Sequence, residues 1–107
     1  MTNNNRMTLH DFAVIVVPDG DDVAVAKQWI PSGTTLVWEE ENTEITLRTD
    51  IPTGHRFAIR RVYAGSWVRQ YGQPFARSKG LEPGNRVDDT TVDSDFPEIG
   101  PSELTLR

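Results

Sequence analysis

No cysteine occurs among the 107 residues, which excludes a disulfide framework and any thiolate metal site and suits a reducing compartment. Long apolar runs are missing as well. The first, Phe12 to Val17, is six residues long, too short for a secretory core or a membrane span, and the start Met1-Thr2-Asn3-Asn4-Asn5-Arg6 is polar. A cytoplasmic, non-membrane protein is expected. No segment carries a sustained apolar stripe of period 3.6, which excludes a helical bundle. Histidine is scarce, with only His10 and His55. No Gly-rich phosphate loop and no Ser-His-Asp order is present, and the acids Asp19, Asp21 and Asp22 lack the Gly and downstream Glu of a calcium loop, so they read as a charged turn.

What is present is charge of uneven placement. The net charge is −5, yet the stretch from Arg48 to Lys79 gathers seven of the eleven basic residues (Arg48, Arg56, Arg60, Arg61, Arg69, Arg77, Lys79) against one acid, Asp50. Acidic flanks on both sides argue against nucleic acid, whose phosphates need a broad basic face. They leave the centre to a small anionic ligand or an acidic partner surface. A face of solvated arginines paired with the flanking acids is the plainer alternative.

The chain is punctuated by one repeated corner: Ile30-Pro31-Ser32-Gly33, Ile51-Pro52-Thr53-Gly54, Val62-Tyr63-Ala64-Gly65 and Leu81-Glu82-Pro83-Gly84. Proline or its neighbour at the second position of a β-turn and glycine at the fourth launch a new strand each time. The glycines stand 21, 11 and 19 residues apart, too irregular for a solenoid of fixed period. A single all-β domain of short strands follows. Residues 1–11 form a flexible polar lead-in, residues 12–92 the domain, and residues 93–107 an extended acidic tail. Within the domain, Phe12 to Val17 reads as a buried strand, Glu39-Glu40-Glu41-Asn42 as a solvent-facing hairpin tip, and Phe75 to Lys79 as the one short helical turn. Trp29, Trp38 and Trp67 are core or partner-facing anchors, an exposed one favouring the partner.

Three runs resemble a known family: Asp21-Asp22-Val23-Ala24-Val25-Ala26, then Ile45-Thr46-Leu47-Arg48-Thr49-Asp50-Ile51-Pro52-Thr53-Gly54-His55-Arg56-Phe57-Ala58-Ile59-Arg60, then Tyr71-Gly72-Gln73-Pro74. They are similar to the SAF domain of the altronate and galactarate dehydratases. That resemblance implies a β-clip fold and a role as the small subunit or N-terminal module of a sugar-acid dehydratase, or of a sulfolactate-type lyase. The module would complete the active site of a larger catalytic chain. It implies a small anionic sugar acid or sulfo-acid as substrate, with His55 as the catalytic proton carrier and Arg56, Arg60 and Arg69 as substrate-binding cations. Many members carry alternating histidines where this chain has Arg86, Asp88 and Thr90, so no cofactor is expected on this chain alone and a divalent metal only in the complex with a large subunit. The other role that the fold implies is a non-catalytic ligand-binding or assembly module. On strict strand alternation, Arg56 and Arg60 share one face while His55, Phe57 and Ile59 take the other.

Overall fold

The computed structural model describes residues 6–93. Among the described residues nine short strands form three three-stranded sheets, so the expected all-β class holds. In the first, β1 (Arg6–Thr8) runs parallel to β4 (Thr35–Trp38), which pairs antiparallel with β5 (Thr43–Thr46). In the second, β3 (Val23–Ala26) lies between β2 (Ala13–Val14) and β6 (Arg56–Ala58). In the third, β8 (Gln73–Ser78) lies between β7 (Trp67–Gln70) and β9 (Val92–Asp93).

The four glycine corners are the joints of this arrangement. In each, the carbonyl of the second residue accepts the N–H of the fifth: Thr34 to Pro31 at 3.2 Å, and His55 to Pro52, Ser66 to Tyr63 and Asn85 to Glu82 at 3.0 Å. The β-turn therefore begins one residue later than expected from sequence. Glycine occupies its third position, with φ between +83° at Gly54 and +95° at Gly84, the region a type II turn requires there. The corners join two by two. Ile30 and Ile51 exchange backbone hydrogen bonds of 2.9 and 2.8 Å, and Val62 and Leu81 exchange bonds of 3.0 and 2.9 Å.

Two apolar cores result, and the β3–β6 ribbon is the wall between them. Ala24, Ala26, Phe57 and Ile59 face one core with Leu9, Leu36, Trp38, Ile45 and Ile51; Val23 and Ala58 face the other with Val62, Val68, Ala76 and Leu81. Burial on both faces explains why β3 reads Val-Ala-Val-Ala without a polar residue.

Three expectations are corrected. Phe75 to Ser78 is not a helical turn but part of β8, with a register shift opposite Val68 and Arg69. An isolated segment free of glycine can coil, but here β7 satisfies its backbone, and Pro74, which has no N–H to give, sits at the irregularity. Nor is Phe12 to Val17 a buried strand: Phe12 closes a four-residue helix, α1 (Leu9–Phe12), and Val14, Val16 and Val17 are exposed. The stretch expected as a lead-in is structured from Arg6, where β1 pairs with β4 and Leu9 is wholly buried. The charged tip stands as expected, a 3-10 turn at Glu39–Glu41 ended by Asn42 in the left-handed region at φ 52°. Of the acidic tail expected over residues 93–107, Asp93 belongs to β9, and residues 94–107 lie outside the described residues. Among the described residues no helix is long and apolar enough to cross a membrane.

Candidate functional site

A single antiparallel register runs through the β3–β6 ribbon into the first two corners. Val23 opposes Ala58 and Val25 opposes Arg56; further along, Ala26 donates to the carbonyl of His55 at 2.9 Å, Gly54 donates to Ala26 at 2.8 Å, and Ile30 pairs Ile51. The exposed residues Lys27, Gln28 and Trp29 are thereby laid against the exposed corner residues Thr53, Gly54 and His55. His55 presents its imidazole to solvent from a backbone fixed by two hydrogen bonds, and among the described residues that ring makes no hydrogen bond. It does not cap its corner. Trp29 is 55% exposed at the same end, whereas Trp38 is in the core and Trp67 is half-buried. Of the three tryptophans, Trp29 is the exposed one.

The three arginines are not brought together. Arg56 lies on the side of the second core, with its guanidinium 4.5 Å from the centre of the Phe75 ring and an Nη1 hydrogen bond of 3.0 Å to Gln70 Oε1. Arg60 lies on the side of the first core. It stacks over Trp38 at 5.2 Å and donates to the carbonyls of Asp21 at 3.0 Å and Pro18 at 2.6 Å, closing the Pro18–Asp21 turn. Strict alternation fails because β6 ends at Ala58 and the chain bends at Ile59 and Arg60. Arg69 is exposed beside the β7–β8 hairpin tip, with a long 3.4 Å contact to the Gly72 carbonyl. Arg61 and Arg77 also lie over aromatic rings, Tyr63 and Trp67, at 5.8 and 4.1 Å. The basic segment is therefore largely spent on cation–π contacts within the fold, which sequence reasoning did not foresee.

Arg56 also borders an open groove of about 290 Å³, lined besides by Phe75, Val87, Asp88 and Asp93. Its wall is preset: Asp88 Oδ1 accepts Thr90 Oγ1 at 2.5 Å and Thr90 N–H at 2.8 Å, and Arg86 Nε reaches Oδ2 at 3.1 Å. These bonds, the Thr90 hydroxyl first, hold the Asp88 carboxyl below the usual carboxylate range against the opposing effect of partial burial. Among the described residues no three His, Asp or Glu side chains gather as a metal ligand set, so the residues present do not fit a resident metal.

Glycine corners that pair two by two around a shared β ribbon define a small all-β domain. The chain belongs to the altronate/galactarate dehydratase SAF domain family, whose sequence model matches residues 12–95. Altronate dehydratase of Escherichia coli (strain K12) is 39% identical to it over 54 residues, which make up 50% of this chain and 10% of that relative. The matched stretch is thus about a tenth of the length of the curated relative.

Proposed function

We propose that the chain is the SAF module or small subunit of a dehydratase or sulfo-lyase acting on a sugar acid or sulfo-acid, working together with a larger catalytic chain. The observation that carries this reading is the exposed, unpartnered imidazole of His55, held on a rigid corner of a domain that matches only a tenth of altronate dehydratase. Elimination from a hydroxy acid removes a proton next to a carboxylate and protonates the leaving group, and an imidazole, which can take up or give a proton, suits either transfer. His55 would carry that proton at the seam between the chains, with Trp29 seated in the partner beside it. Arg56 at the groove mouth and Arg69 at the hairpin tip are the cations left to meet an anionic group; Arg60 is committed to its turn. A divalent metal, if the assembled enzyme uses one, belongs to the larger chain, and the cytoplasm is the compartment that fits a cysteine-free chain.

One observation favours a second reading, a non-catalytic ligand-binding or assembly module: four guanidiniums of the basic segment lie over aromatic rings of the same domain. The experiment that separates the two is turnover by the cognate large chain with His55→Ala in place of the native chain. As a proton carrier His55 is worth at least about 100-fold in kcat. Full turnover in the assembled His55→Ala complex would leave only the assembly role.

A further inference from the structure

The β7–β8 hairpin turns through Tyr71 and Gly72, whose φ angles are 58° and 72°. Positive φ at both central residues marks the two-residue turn in which Asn-Gly is preferred, because a larger side chain in the left-handed region is strained. Tyrosine stands there nonetheless. Tyr71 is 61% exposed, so little packing within the domain offsets the strain.

The fold also devotes two carboxylates to holding this tip. Asp21, wholly buried, accepts Gly72 N–H at 2.7 Å through Oδ1 and Val17 N–H at 3.1 Å through Oδ2. Asp22 accepts Arg69 N–H at 2.9 Å and donates its own N–H to the Arg69 carbonyl at 3.0 Å. Gly20 is wedged between, since a β-carbon there would stand 3.2 Å from Val17 and 3.7 Å from the Gly72 backbone. Val17 thus adjoins the tip, and Val14 and Val16, also exposed, precede it on the same run. Strain that little packing offsets inside the domain, fixed in place by the buried Asp21 and the half-buried Asp22 and adjoined by the exposed Val17, is the pattern of a contact surface.

We propose that the Tyr71 tip, with Val17 beside it and Val14 and Val16 on the same run, is a docking surface for the large chain, which receives the phenol in an apolar pocket. The inference rests on the reading that a large dehydratase chain is the partner. That occupant is favoured because the matched stretch is a tenth of altronate dehydratase and the rest of such an enzyme must cover some face of this domain.

Tyr71→Asn tests it, since one substitution relieves the strain and removes the anchor. In the isolated chain it raises the melting temperature by about 4–8 °C. Measured by calorimetric titration with the purified cognate large chain, the same variant binds at least about 10-fold more weakly than the native chain. Tyr63→Asn, at an equally exposed tyrosine on the third corner, leaves binding within about twofold. A Tyr71→Asn chain that melts higher yet binds as tightly as the native one overturns the docking role, and one that melts lower overturns the strain on which it is argued. Failure of the native chain to bind the large chain removes the proposed function, and the docking surface with it.

Discussion

Replacing Gly84 by alanine should do far more damage than the same change at Gly33, although both glycines occupy the same turn position with nearly the same φ, +95° and +89°. At Gly33 an added β-carbon meets nothing within 4 Å, so the cost is the left-handed backbone alone, about 1–2 kcal/mol. At Gly84 the β-carbon would overlap the Thr46 carbonyl oxygen and lie 3.0 Å from the carbonyl carbon, and neither atom can swing aside as a side chain would. The corner must move off β5. That movement strains the hydrogen bonds from Gly84 N–H to Ala58 (2.8 Å) and from Arg48 N–H to Gly84 (3.0 Å), each worth about 1 kcal/mol. With about 1–3 kcal/mol for the overlap itself, Gly84→Ala loses about 4–7 kcal/mol in all. Against a total of about 5–15 kcal/mol for a domain, the variant is largely unfolded at room temperature or melts more than about 20 °C lower. Gly33→Ala melts about 5–15 °C lower, and Gly33→Asn loses less because asparagine tolerates positive φ. Urea titrations followed by circular dichroism, with equal slopes in all variants, give the comparison directly. Gly84→Ala within 1 kcal/mol of Gly33→Ala would refute the close approach of the fourth corner to β5, and with it the packing of the two halves around the ribbon.

Two further outcomes follow from hydrogen bonds. The buried Ser78 hydroxyl donates to the Val62 carbonyl at 2.6 Å and accepts the N–H groups of Gly80 at 2.8 Å and Leu81 at 3.1 Å, so Ser78→Ala should cost about 2 kcal/mol, seen as a drop of about 10 °C in melting temperature; a change under about 2 °C would contradict the joint. Asp88 has a lowered pKa in the folded chain, chiefly through the Thr90 hydroxyl, so the stability it supplies is complete above the ordinary carboxylate value of about 4 and is lost as pH falls through the lower folded value. Native chain and Asp88→Asn should therefore differ in urea midpoint at pH 7 and converge toward pH 2; a gap that widens in acid has the wrong sign.

The corners were legible because turn chemistry is local: glycine alone admits φ near +90° without strain, and four apolar-x-x-Gly units announce four bends wherever they sit in the chain. What the corners join was not legible, because the pairings of Ile30 with Ile51 and Val62 with Leu81 depend on which distant strand supplies the missing hydrogen bonds. For that reason Phe75 to Ser78 turned out to be strand, its backbone satisfied by β7, and half of the Phe12 to Val17 run faced outward because β2 has a buried side and an open one.

Sequence by itself fixed the all-β class, the places where the chain bends, the family and the concentration of positive charge between Arg48 and Lys79. Only the tertiary structure decided where that charge goes. A guanidinium placed over an aromatic ring gains more than one left in water, and the rings that capture Arg56, Arg60 and Arg77, namely Phe75, Trp38 and Trp67, are brought within reach by folding rather than by proximity along the chain.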